Sequence, residues 1–570
     1  MTAISRIRRS RLDSRSACPE PRRRATALVA VLAAAVTTTA LMASSYAPKF
    51  YNDDPLWVEP ETQDASGIKP DEVNLFVDLT ANLLRGARAT IPPGRARNIN
   101  TVDEVPNSSW FTNRGELTPE RIAAGPITTS GPAPGTWTVI SSKSDGVTPG
   151  FTVTDATGQR WFLKFDPRGF RGMSTGTEVA ASRLMWALGY NVAENHIAYM
   201  RREQLTIGAA ARFTPPSGNK RALREADIDA LLQRLDREPD GSYRVVASKA
   251  LAGKPIGRIR FAGTRPDDPN DLVPHQDRRE LRGYGVFAAW LNHVDAKAIN
   301  SLDTLVTENG RSFVRHHLID FGSALGSGGV AAADYWAGDE YLLEPGQIGK
   351  RMIGLGFSFR RWHTDRFYES PSIGRLREEH SDFNPSLWKP RVPNQAFLHA
   401  RADDRFWAAR KLAALSTDML RAAVKAGEFD DAGAEAFLVR ALAQRRTAIV
   451  RHYLNAVNPI ADVTLNDSGI LTFTNAAVEA DVARAPREYR AVWAQFDNLT
   501  GATRRIGETS GRTTVVEAPA KLPAEDGTYV KVELSAIGGP NPAWEVPVDA
   551  YFRRCDGEWR LIGFERIPKR

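Results

Sequence analysis

The chain has 570 residues, 42% apolar and 25% charged, which is too long for one ordinary core and too apolar for a disordered polymer. Its net charge of +8 does not mark a nucleic-acid-binding face: eight arginines between Arg6 and Arg24, against Asp13 and Glu20, make residues 1–24 +6 and leave the rest at +2. Cys18 and Cys555 are too few for a disulfide framework and fall in no zinc or cysteine-nucleophile motif.

Residues 1–24 read as a basic cytoplasmic tail. The uncharged run 25–47 (ATALVAVLAAAVTTTALMASSYA) follows, and a helix of that length reaches across a hydrocarbon core of about 30 Å. The arginines hold its first end in the cytoplasm, so the remainder is expected outside, in a periplasm or cell envelope. Small residues at Ala43, Ser45 and Ala47 make the run equally compatible with a cleaved signal peptide or an uncleaved anchor.

Residues 48–134 are rich in Pro, Asn, Gly and Asp, with one helical pattern over 70–86. They read as a juxtamembrane lead-in with little core of its own. From Thr136 the pattern alternates. TWTVIS, FTVTD and RWFLKF predict strands, with a hairpin turn at 156–159. A helix is expected over about 176–188, ended by Gly189, then strands near 194–200 and 242–251 with a charged helical insertion between them.

From Arg278 the chain turns helical (RRELRGYGVFAAWLNH), then enters a hairpin with arms 302–307 and 312–319 and an Asn309-Gly310 turn. Helices follow in 400–455. Beyond about 460 short strands recur with turn residues between them, which predicts an all-β sandwich or partly open barrel.

The chemistry-bearing residues lie in the middle. Lys164 sits in the strand RWFLKF, where an ammonium can reach nucleotide phosphates; a lone strand lysine is more often solvent-facing. Glu178 lies early in the next helix and can pair with it, although Thr175-Gly-Thr-Glu178 also reads as a capping box. His293-Val-Asp295-Ala-Lys297-Ala-Ile-Asn300 then precedes the hairpin, and Asp320-Phe321-Gly322 ends it.

In this order and on these elements, the motifs resemble the catalytic loop H-R-D-x-K-x-x-N and the metal-binding D-F-G of protein kinases, nearer to atypical and secreted kinase-like families than to regulatory ones. The resemblance covers about 135–455. It implies an α+β, bilobal kinase-like domain, with an N-lobe at 135–255 and a helical C-lobe at 256–457, followed by the all-β accessory domain at 458–570. It implies Asp295 as acceptor of the substrate hydroxyl proton and Lys297 steadying the transferring phosphoryl. Asn300 and Asp320 would hold Mg²⁺ or Mn²⁺, and Lys164 with Glu178 would hold ATP or another nucleoside triphosphate. His293 is expected to be structural.

Gly146 and Gly150, in the loop after the first strand, are the weakest nucleotide-binding candidates, since the loop has two glycines rather than three. No A-P-E follows Gly322. Two functions remain open: an extracytoplasmic kinase acting on a protein, glycan or small-molecule hydroxyl, and a catalytically inactive envelope scaffold whose β domain binds a protein or glycan.

Overall fold

The computed structural model describes residues 47–568 except 72–74, 86–91, 143–147, 216–218, 345–347, 350–351, 354–360 and 379–382. The basic tail, the apolar run up to residue 46 and Gly146 lie outside the described residues. Among the described residues, no helix is long and apolar enough to cross a membrane. The architecture is mixed α/β, with several separate sheets.

Residues 48–134 carry helices α1 (Leu75–Arg85) and α2 (Pro119–Ala124) and otherwise run as an irregular strap. The strap's apolar side chains enter cores built by other segments. Phe50 packs with Phe496, Tyr551 and Ile562, whereas Trp110, Phe111 and Ile122 join the largest core. Arg278, Arg279 and Arg282 hold part of the strap from below. Arg279 is fully buried, with carboxylates of Asp103, Asp403 and Asp404 at 3.0–3.4 Å.

Seven strands form the first sheet: β1 (Trp137–Ser142), β2 (Gly150–Thr154), β3 (Arg160–Phe165), β4 (Asn195–Met200), β5 (Leu205–Phe213), β6 (Arg221–Ala222) and β7 (Tyr243–Lys249). Their order is β4-β7-β3-β2-β1-β5-β6, with β3 well inside the sheet. In β3, Trp161, Leu163 and Phe165 point into one core, which leaves Lys164 on the opposite face. The expected β2–β3 turn forms around Asp155, whose carboxylate accepts from the Thr157 and Gln159 amides.

Helix α3 (Met173–Ala187) connects β3 to β4, and α4 (Glu225–Leu232) is the charged insertion. The α3 start corrects the sequence-based expectation by three residues. Its first amides are capped by Asp166, which accepts from the backbone N–H of Gly172, Ser174 and Thr175. Glu178 is therefore not part of a capping box, and its carboxylate is available for other contacts. Gly189 (φ +114°) ends the helix as expected: the amides of Gly189 and Tyr190 donate to the carbonyls of Trp186 and Met185.

Strands β8 (Lys254–Gly257), β9 (Ser301–Glu308) and β10 (Arg311–Leu318) form a second sheet; its β9–β10 turn is Asn309-Gly310, both at positive φ. Helices α5 (Arg279–Leu291), α6 (Ala402–Ala413), α7 (Thr417–Lys425) and α8 (Ala432–Leu454) build the largest core, with β11 (Phe367–Ser370) and β12 (Gly374–Arg377) as a small hairpin beside them. Past residue 460, β13 (Ile460–Leu465), β14 (Ile470–Asn475) and β17 (Val515–Glu517) make one sheet. The other contains β15 (Glu488–Phe496), β16 (Thr503–Gly511), β18 (Tyr529–Ile537), β19 (Val548–Cys555) and β20 (Glu558–Glu565).

Candidate active site

The site assembles where β3, α3, the loop after α5 and the end of β10 meet. Lys164 Nζ lies 2.9 Å from Glu178 Oε2 and 2.8 Å from Asp320 Oδ1. Burial alone would lower the pKa of this ammonium, but Asp320 and Glu178 outweigh it and hold the group above the usual lysine range. Glu178 is buried, and its carboxylate also accepts from the Phe321 amide (3.1 Å) and the Gly322 amide (3.1 Å). One glutamate thus fixes the strand lysine and the backbone of the D-F-G turn together.

Asp320 adopts φ +62°, a left-handed conformation that Asp tolerates at modest cost. Its side chain keeps 40% exposure, unlike Glu178 at 3%. Gly322 packs closely on α3: a Cβ there would meet Ser174 Oγ at 2.9 Å, so a larger residue would make the serine rotate.

The second cluster is Asp295, Lys297 and Asn300. Lys297 Nζ is 2.7 Å from Asp295 Oδ1, and Asn300 Nδ2 donates to the Asp295 backbone carbonyl (2.8 Å) and to its Oδ2 (3.1 Å). Burial pushes the Asp295 carboxyl up, but Lys297, by charge and hydrogen bond, with the Asn300 hydrogen bond, brings it below the ordinary carboxylate value. It is ionised at neutral pH. The two clusters are tied by the backbone, because the Ile319 amide donates to the Asn300 carbonyl at 3.0 Å.

His293 is fully buried between Tyr284 and Phe321, with neither ring nitrogen hydrogen-bonded, and burial pushes its pKa down to about 4. It is neutral and acts as packing between the two motifs. His316 and His317 do not share a ligand. His316 stacks on Trp110 and contacts Asp303, whereas His317 turns to the Leu302 carbonyl.

Gly150 is a buried strand residue directly opposite Lys164 in the β2–β3 register. Among the described residues, no cluster of three or more His, Cys, Asp or Glu is placed to hold a metal ion. The donor set nevertheless fits a hard cation. Asn300 directs its Nδ2 toward Asp295, which leaves its amide oxygen as an acceptor, and the Asp320 carboxylate opens to solvent.

Three residues that sequence reasoning did not single out support this arrangement. Asp166 caps α3, and the Asp-Pro pair after a strand is a readable turn signal. Arg258 Nη1 donates to the carbonyls of Ile299 (3.0 Å) and Ser301 (2.8 Å), on either side of Asn300. Arg244, on β7, reaches Thr175 Oγ1 at 3.0 Å. Neither arginine has a local sequence signal.

No family model matches the chain, and no curated protein matches it. Solved structures similar to it include the proinflammatory kinase CtkA of Helicobacter pylori. That likeness has 12% identity, covers 56% of this chain and 99% of the other, and has a TM-score of 0.29. The Golgi casein kinase is similar at 11% identity over 70% of this chain and 95% of its own, with a TM-score of 0.27. Its Mn/ADP-bound form gives 10%, 70%, 94% and 0.27. Scores this low leave the functional reading to the side chains themselves.

Proposed function

We propose that the chain is a kinase-like phosphotransferase that moves a phosphoryl group from a nucleoside triphosphate to a hydroxyl on a protein, glycan or small molecule. The observation that carries this reading is Lys164 held at once by Glu178 and Asp320, with Glu178 also gripping the D-F-G backbone. Phosphoryl transfer of the protein-kinase kind needs that ion pair and that aspartate in place together. The proposed division follows: an N-lobe at 135–255, a C-lobe at 256–457 and a β accessory domain at 458–570.

Asp295, ionised beside Lys297, takes the proton as the acceptor O–H bond breaks. The acceptor oxygen bonds to the γ-phosphorus, and the nucleoside diphosphate leaves with the bridging oxygen. Lys297 and Lys164 offset charge on the phosphates. Asn300 and Asp320 would hold Mg²⁺ or Mn²⁺, which would supply the remaining charge neutralisation. The tail of arginines before the run 25–47 supports work outside the cytoplasm, either secreted or anchored by that segment.

A second reading, an inactive scaffold, draws on the same contact from the other side: Lys164 already occupies one oxygen of Asp320. Thermal shift of the purified protein separates the two. With ATP or GTP and Mg²⁺ or Mn²⁺ at a hundred times Kd, binding stabilises by about 2.7 kcal/mol. A metal-dependent rise in melting temperature that Asp320→Ala abolishes supports the kinase reading. A well-folded protein that no nucleotide shifts refutes it in favour of the scaffold.

A further inference from the structure

The helix that presents Glu178 is gripped at its first turn by a loop from the far side of the fold. We propose that Arg244 and the loop 427–430 form a latch that positions Glu178 against Lys164, so that the site is assembled without a separate activating event. The inference rests on the phosphotransferase reading for its consequence, but not for its geometry.

The contact is made by backbone. Gly176, two residues before Glu178, lies against Gly427, in the link between α7 and α8. A Cβ on Gly176 would meet the Gly427 carbonyl oxygen at 2.7 Å, and one on Gly427 would meet the Gly176 carbonyl oxygen at 2.6 Å. Only two glycines allow this approach. Phe429 closes it from the side, 2.9 Å from the same Gly176 position, and Gly172 lies beside Asp430.

Arg244 joins the pieces. Its guanidinium is buried. Nη2 donates to the Gly427 carbonyl at 2.7 Å, Nε donates to Thr175 Oγ1 at 3.0 Å, and Asp166 Oδ2 lies 3.6 Å from Nε. Thr175 Oγ1 in turn donates to Asp166, which caps the helix. One arginine on the first sheet therefore fastens the start of α3, its cap and the distant loop. An outer arm repeats the link: Arg171 is paired with Glu238, beside the first sheet, and with Asp430 of the loop.

A helix held this way cannot swing as a lever while the first sheet and the helical part stay fixed. The Glu178 carboxylate is two residues, about half a turn, beyond the clamped Gly176, so displacement of the clamp is transmitted to it. Arg244 is a positioning residue here. It reaches the reacting groups only through Thr175, Gly427 and the helix.

Hydrogen exchange on the full chain tests the latch without depending on activity. The Phe321 and Gly322 amides donate to Glu178, so their protection reports its position directly. In Arg244→Gln, exchange in peptides spanning 173–188 and 319–324 should rise at least tenfold, with the strands after 460 unchanged. The exposed-arm variant Arg171→Ala should give a smaller rise in the same peptides and covers the case in which Arg244→Gln does not fold. Unchanged protection at 321–322 in a folded Arg244→Gln, or in Arg171→Ala when the first does not fold, overturns the latch; so does a rise spread evenly over the whole molecule. Measuring Mg²⁺–ATP affinity on the same samples separates the two ideas. A tenfold loss alongside the local exchange supports both. The same rise in the variants, with a wild type that binds no nucleotide, keeps the latch and removes the phosphotransferase reading.

Discussion

Replacing Glu178 by Ala removes one buried carboxylate that serves three donors. Lys164 keeps Asp320, so its ammonium is not stranded. The Phe321 and Gly322 amides lose their acceptor, at about 1–3 kcal/mol each. With the lost charge contact the total is roughly 3–5 kcal/mol. For unfolding of the chain as one unit of about 500 residues the entropy gain is roughly 1 kcal/mol/K, and each kcal/mol then moves the melting temperature by about 1 °C. Scanning calorimetry should therefore show a drop of about 3–5 °C. Glu178→Gln, which retains one carbonyl acceptor, should show about half of it. A Glu178→Ala protein that melts within about 1 °C of the wild type refutes the claim that this carboxylate holds the D-F-G backbone.

Other consequences can be measured on the same protein. Asp295→Asn should leave nucleotide affinity unchanged and slow phosphoryl transfer to any acceptor by about 10²–10⁴-fold, read as incorporated label; equal rates would remove Asp295 from proton transfer. His293 has a folded pKa of about 4 against an unfolded value near 6.5, so its unfolded form takes the proton first. Its contribution is complete above about pH 6.5 and is lost as pH falls toward 4, by about 2–3 kcal/mol at pH 4.5. His293→Phe, replacing a ring whose nitrogens have no partners, should flatten that part of the pH–stability curve in urea titrations. His317, also pushed down to about 4 by burial, leaves a residual slope of the same sign. Arg279→Met takes one partner from each of the buried Asp103, Asp403 and Asp404, which keep Arg95, Arg401 and Arg282, and should cost about 1.5–3 kcal/mol in urea denaturation.

What was readable in the sequence was the periodic and the motif-bearing. β3 with its lysine, the Asn309-Gly310 hairpin, and helices α7 and α8 stand where alternation, turn chemistry and 3.6-residue spacing put them. Among the strands that left no such mark, besides the short β6, β8, β11 and β12, two are long. β5 (LTIGAAARF) is rich in Gly and Ala, and β16 (TRRIGETSG) is an exposed edge with no apolar face; pairing with neighbours makes them strands. The α3 start escapes local patterning because its cap, Asp166, lies seven residues before the helix, beyond the spacing that a capping box uses. Arg244 and Arg258 were invisible for a different reason. Their partners include backbone carbonyls, and a carbonyl carries no residue identity.

Phe50 seats against Gly563 of β20, where a Cβ would meet the ring at 2.4 Å, and the Phe50 amide donates to Asn498 Oδ1 across 448 positions. Arg553 also reaches back, donating to the carbonyl of Asn52. During synthesis the segment around residue 50 therefore emerges early and waits for a strand made some five hundred residues later. Its full set of ring contacts, with Phe496, Tyr551 and Ile562, exists only once β20 has been made, so a growing chain carries this aromatic incompletely covered. A chain cut before β20 lacks Ile562 and the Gly563 seat and leaves the ring covered only by Phe496 and Tyr551. The strap thus ties the closing of its own small core to the arrival of β20.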